Sequence, residues 1–343
     1  MKLKLLASAA ATLMAFAMPA HAEIPNIELR VGDSLPPDHI ISQKLTQAWF
    51  DAVESKSNGK IKIKHFPAEQ SGKAKDLLSL TQTGVLDIGY VGPAYVADKM
   101  PLSGVAELPG MFTTSCQATN AYWSMAQEGG YFFENEYKQN KIRPLFLTVL
   151  PPYQLMISNK KNIESLKDFG GLKIRAAGGA QELTLNQIDA VAVKMAPPEI
   201  YESMSRGTID GALLPFISIE SYKLSPRAHS STLGANFGAV IVTYSISERK
   251  WRSLPKEVQE ILAQAGDEAT KQACVSFDEE EQKVYQQLKE QGVNFIQFEG
   301  ADKEKIESVM KEVSQNWAER LDKRNKPGTE TLNKFTEALA TQM

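Results

Sequence analysis

The sequence predicts an α/β fold of two lobes facing each other across a cleft. Three observations carry this: residues 27–91 run strand, helix, strand, helix, strand; residues 145–214 repeat that rhythm; and residues 255–291 form one helical stretch too long for a single lobe.

Ile27 to Val31 is a short β-type run closed by Gly32-Asp33-Ser34. Pro36-Pro37 breaks the chain, and an amphipathic stretch follows from His39 to Ser55, stopped by Asn58-Gly59. KIKIKHF, Lys60 to Phe66, alternates polar and apolar residues as a half-buried strand does, because successive side chains point to opposite faces. Asp76 to Thr83 has helical spacing and ends at Gly84, and LDIGYV, Leu86 to Val91, reads as a buried strand. The second unit opens with Leu145 to Leu150 and Leu155 to Asn159, then passes through the helix-like ESLKDF to the strand LKIRA, Leu172 to Ala176. It continues with a helix over Gln181 to Gln187, the strand Val191 to Ala196, a short helix over Pro198 to Ser205, Gly207, and the strand Thr208 to Leu214. AVIVTYSIS, Ala239 to Ser247, is one more strand, and the long helical pattern from Pro255 to Gln291 holds a single glycine, Gly266. The acid run Asp278 to Glu281 on that helix reads as a solvated face.

Residues 1–22, MKLKLLASAAATLMAFAMPAHA, place Lys2 and Lys4 before an apolar run and end at Ala20-His21-Ala22, with small residues where a signal peptidase reads. A signal peptide is expected, and a mature protein in the periplasm. No later run reaches the length of a membrane span. With 38 basic and 41 acidic residues the chain has a net charge of −3, and no nucleic-acid partner is expected. Cys116 and Cys274 are far apart in sequence, and two readings stand for them: a disulfide, or two separate buried thiols.

The sequence contains no G-x-S-x-G elbow, no H-E-x-x-H, no phosphate loop and no G-x-G-x-x-G opening a helix after a strand. His39, His65 and His229 have no zinc-ligand spacing, and no histidine neighbours either cysteine in sequence. No catalytic residue, cofactor or metal is expected.

Five segments, taken together, resemble the solute-binding proteins of the tripartite ATP-independent periplasmic (TRAP) transporters, the dicarboxylate-receptor family. They are NGKIKIKHFPAEQSGKAKDLLSLTQTGVLDIGY, LPGMF, SLKDFGGLKIRAAG, PPEIYESMSRGTIDG and SISERKWRSLPKEVQEILAQAGDEA, in the family's order. The resemblance implies a two-lobed periplasmic-binding-protein-like fold. Residues 23–147 would form lobe 1, with a return segment at about 233–254. Residues 148–232 would form lobe 2, with C-terminal helices over about 255–343, the first spanning both lobes.

The resemblance also implies function: a monomeric receptor that closes on an organic acid and delivers it to a sodium-coupled TRAP permease. In the family the arginine of G-L-K-I-R binds the ligand's carboxylate, which here is Arg175. Its guanidinium offers two parallel donors that match a carboxylate and stays charged when water leaves. A second family arginine falls here at Gln154, or at Tyr153 if the gap moves by one, and the asparagine of D-G-Q-E-N-P falls at Leu214 in DGALLP. A buried polar ligand group without a partner costs about 1 to 3 kcal/mol. These exchanges therefore favour a monocarboxylate with an apolar or aromatic body. Pro197, Phe216 and Phe237 stand nearby in the same alignment as cleft residues, each with a core role as its alternative. Asp33, Gly92 and Pro93 follow strand ends, where open α/β sheets bind ligands; Asp33 would accept a ligand hydroxyl or cap the chain entering the next helix. Rival readings are an exported hydrolase or isomerase using the cleft, and a binding protein for an ATP-driven importer or a sensor kinase.

Overall fold

The computed structural model describes residues 24–158 and 163–342. The expected leader lies outside these residues, as does Asn159, the last residue assigned above to its strand.

In chain order the first unit is β1 (Ile27–Gly32), α1 (Gln47–Lys56), β2 (Ile61–Phe66), α2 (Leu77–Thr83) and β3 (Ile88–Val91), followed by α3 (Ser115–Ala126) and β4 (Ile142–Val149). The second unit is β5 (Gln154–Ile157), β6 (Lys173–Ala176), α4 (Ala180–Gln187), β7 (Val191–Lys194), α5 (Ile200–Ser205), β8 (Gly211–Leu214), α6 (Phe216–Ser221) and β9 (Ser230–Thr232). Then come β10 (Ile241–Ser247), α7 (Glu248–Ser253), α8 (Lys256–Glu290), β11 (Asn294–Ile296), α9 (Gly300–Asp322) and α10 (Gly328–Ala340). One sheet has the order β2-β1-β3-β10-β4, the other β11-β9-β5-β8-β6-β7. This is the two-lobed α/β architecture expected from the sequence. β10 leaves the second unit and enters the first sheet antiparallel to both β3 and β4. The short strands β9 and β11 pair in parallel at the edge of the second sheet; at three residues each they carry too little periodicity to be read from sequence.

α8 is 35 residues long and joins both lobes. Gly266 allows it to lie on β4, since a Cβ there would fall 1.8 Å from the carbonyl oxygen of Leu145. Nearby, the amide of Leu147 donates to Thr270 Oγ1 at 3.1 Å, and Trp49 Nε1 donates to the carbonyl of Leu262 at 3.3 Å. One turn further on, Cys274 forms a disulfide with Cys116 at the start of α3, with the Cα atoms 4.8 Å apart. In the chain-entropy account a bridge closing 158 residues contributes about 5 kcal/mol.

The acid run on α8 corrects the expectation of a solvated face. Glu279 is exposed and Glu280 pairs with Lys283, but the other two carboxylates are helix caps. Asp278 accepts from the amides of Ser115 and Cys116 at 2.7 and 3.0 Å, and Glu281 accepts from those of Phe216 and Ile217, both at 2.9 Å. Free amides at a helix start carry partial positive charge and need acceptors. The two acids, one turn apart, cap α3 beside the first sheet and α6 beside the second.

Candidate ligand-binding site

Arg175 is the penultimate residue of β6, opposite Val193 of β7 and Ala212 of β8. It is 2 % exposed. Nε donates to the carbonyl of Met195 at 3.1 Å, Nη1 to the carbonyl of Leu213 at 3.4 Å, and Nη2 to the hydroxyl of Tyr95 at 3.2 Å. Among the described residues these hydrogen bonds go to neutral oxygens, and no carboxylate forms an ion pair with it. Leu213 lies in β8 and Met195 directly follows β7, the two strands that flank β6. Tyr95 belongs to the turn Pro93–Val96 that follows β3 in the other lobe.

The residues after Arg175 are small because the lobes meet there. Gly178 has φ +129°, and a Cβ on it would fall 2.8 Å from the carbonyl oxygen of Ala94 across the cleft. Glu107, 1 % exposed, lies against Gly179, whose added Cβ would be 3.2 Å from Glu107 Oε2. Burial pushes the Glu107 carboxyl up to about 8, with the amides of Ile241 and Ala94 opposing.

Tyr95, which meets the guanidinium, belongs to a group of aromatic side chains. Tyr90 and Tyr95 have ring centroids 6.3 Å apart, and Tyr90 meets Tyr244 edge to face at 5.7 Å. Burial raises the pKa of the Tyr153 and Tyr222 phenols, and the Arg175 charge opposes the rise in both. His39 packs on Tyr222 with centroids 4.7 Å apart. Tyr95 and Met195 line a cavity of about 340 Å³ with Lys73 and Lys194; Tyr222 and Pro197 line another of about 510 Å³ with Pro36 and Asp38.

The structure distributes the sequence-predicted residues unevenly. Gly92 stands beside the phenols: a Cβ there would fall 2.9 Å from the Tyr95 ring and 3.2 Å from the Tyr90 hydroxyl. Tyr153 is buried, and its backbone carbonyl accepts from the amide of Phe237, itself fully buried. Gln154 and Leu214 are cross-strand partners, so the two departures from the family pattern meet on adjacent strands. Gln154 Oε1 accepts from Thr232 Oγ1 at 2.8 Å. Leu214 and Phe216 belong to an apolar cluster with Met156, Ile200 and Met204, and the Phe216 ring packs on Tyr285 and Phe295. For Phe216 this is the core role named as its alternative. Pro93 lines a separate cavity with Glu107 and Trp317.

Asp33 takes the capping role. Its Oδ1 accepts from the Leu35 amide at 2.8 Å and Oδ2 from the Tyr244 hydroxyl at 2.7 Å, so both oxygens are engaged inside the first lobe.

Sequence reading missed Tyr90, Tyr95, Tyr222 and His39. GYVGPAYV held a signal, since two tyrosines flank the Gly92-Pro93 already singled out at a strand end.

The model of the bacterial extracellular solute-binding proteins, family 7 (DctP), matches residues 31–320. The C4-dicarboxylate-binding periplasmic protein DctP of Rhodobacter capsulatus is 25 % identical over 98 % of this chain and 97 % of its own. A TRAP solute-binding protein of Rhodoferax ferrireducens, solved with copurified benzoate, superposes with a TM-score of 0.83 at 23 % identity, covering 92 % of this chain and 98 % of that one. A TRAP periplasmic solute-binding protein of Bordetella bronchiseptica, solved with (R)- and (S)-mandelate, gives 0.82 at 22 % identity over 92 % and 99 %.

Proposed function

The chain belongs to family 7 of the bacterial extracellular solute-binding proteins, the TRAP receptors for organic acids, and from that premise we propose that it captures an aromatic monocarboxylate. Arg175 holds the carboxylate, the surrounding phenols receive the ring, and the closed receptor passes its cargo to a sodium-coupled permease pair. One observation carries the reading: a guanidinium that is 2 % exposed and, among the described residues, hydrogen-bonded to neutral oxygens alone. A buried charge is costly without an opposite one. A ligand carboxylate supplies that charge and offers two oxygens in the spacing of the guanidinium fork.

The same surroundings argue for a single charge on the ligand. The family's second arginine is Gln154 here, already bonded to Thr232, and its asparagine is Leu214 in an apolar cluster. A second carboxylate placed at these two positions would thus be desolvated without compensation. The aromatic cargo of the Rhodoferax and Bordetella proteins agrees with this direction. A ligand touching both lobes favours the closed form by the contacts it makes only there. Isothermal titration with benzoate, mandelate and succinate tests the reading: the first two bind at least tenfold more tightly than succinate. The reverse order would overturn it.

A further inference from the structure

His39 stands just before the helical segment that follows β1, and it is fully buried. Its Nδ1 accepts from the amide of Ile41 at 3.1 Å, which requires Nδ1 to carry a lone pair and puts the ring proton on Nε2. Burial lowers its pKa to about 3, so the ring is neutral throughout the working range. Nε2 is enclosed and has no hydrogen-bond partner among the described residues. A buried N–H without an acceptor costs free energy that an acceptor brought to it would recover.

Its location supplies one. The His39 ring packs on Tyr222, which follows α6 in the other lobe, and the next amide, Ile40, donates to Ser221 Oγ at 3.2 Å across the same boundary. Tyr222 is one of the phenols that feel the Arg175 charge, and with Asp38 it lines the larger cleft cavity. His39 therefore sits at the interlobe boundary, one ring beyond a phenol that feels the guanidinium's charge.

Building on the reading of an aromatic acid held by Arg175, we propose that His39 determines specificity at the opposite end of the ligand, donating from Nε2–H to an oxygen on the aromatic body. The partner is an acceptor such as a phenolic hydroxyl. The imidazole brings no charge, so it reads the substituent without attracting a second anion. Its tautomer is fixed before the ligand arrives, because the Ile41 amide occupies the other nitrogen.

Calorimetry with benzoate and 3-hydroxybenzoate on the full protein, comparing wild type with His39→Phe and His39→Gln, tests this. The wild type prefers 3-hydroxybenzoate. His39→Phe loses about tenfold of its affinity for that compound and less than threefold for benzoate, as expected when one buried polar group loses its partner. His39→Gln, which can accept from Ile41 and still donate, recovers part of the preference. If His39→Phe does not fold, ¹⁵N spectra of wild-type imidazole decide the matter: Nε2 carries the proton, and its resonance shifts with 3-hydroxybenzoate and not with benzoate. Equal losses for both ligands, or a preference indifferent to residue 39, overturn this assignment while leaving the aromatic reading intact. A wild type that binds neither compound overturns both.

Discussion

Arg143, in the edge strand β4 of the first sheet, and Arg175, at the end of β6 in the second, are both largely enclosed, yet their surroundings differ in kind. The Arg143 side chain is 12 % exposed; it pairs with Glu128 at 2.7 Å and Glu248 at 3.2 Å, and lies 4.8 Å from the Phe133 ring and 5.1 Å from that of Trp251. Arg175 is more deeply buried and has two carbonyls and a phenol. Carboxylates cancel a cation's field locally, while neutral dipoles hold the guanidinium in place and leave its charge available to an incoming anion. The difference separates an arginine paired with carboxylates of its own lobe from one held by neutral dipoles, and on the proposed function the second is the one that meets the ligand.

Removing each charge should break the contrast in a different assay. Arg175→Ala is expected to cost about 2 to 5 kcal/mol of ligand binding, the range for truncating one member of a buried charged pair; unchanged affinity in calorimetry would remove the carboxylate assignment. Arg143→Ala should leave affinity within about twofold and lower unfolding stability by about 1 to 3 kcal/mol in urea titrations, below the fully buried case because Glu128 is largely exposed.

Tyr95→Phe tests the dipole shell itself. It deletes the hydroxyl that accepts from Arg175 Nη2 and keeps the ring, so affinity should fall by about 1 to 2 kcal/mol with little change in melting temperature.

The smallest signal is a slope with pH. Glu107, which faces Lys194, Glu136, Tyr95 and Tyr153, is raised from 4.5 to about 8 in the folded protein. An acid shifted upward favours folding most below its unfolded value, and that contribution fades as pH climbs toward the folded one. Melting temperature should therefore fall between pH 5 and pH 8. Glu107→Gln should remove part of the decline, with Glu136 and Glu281, raised to about 7 and about 8, sustaining the rest.

Much of this molecule could be read from its sequence where periodicity or composition speaks locally. The strands KIKIKHF and LKIRA and the long helix fall in this group, because a pattern of 2.0 or 3.6 residues is a property of a single segment. What escaped depends on segments meeting. Tyr95 reaches Arg175 only after the chain folds back across a separation of 80 positions. Asp278 and Glu281 resemble any exposed acid until two helix starts are brought against them. The disulfide is another such case, since spacing says nothing of whether two sulfurs approach. Leu214 and Phe216 pack on neighbours contributed by α5, α8 and β11, contacts that no single segment announces.

Along positions 274–281 of α8 the disulfide and Asp278 hold the start of α3, while Glu281 holds the start of α6. A chimera that exchanges one lobe between two such receptors cannot therefore be cut at the strand crossovers alone. The grafted lobe must bring its helix start together with the matching carboxylate of α8. Otherwise the recipient faces a foreign helix with an acid out of register, and the hybrid loses one of the two anchors by which α8 holds its lobes.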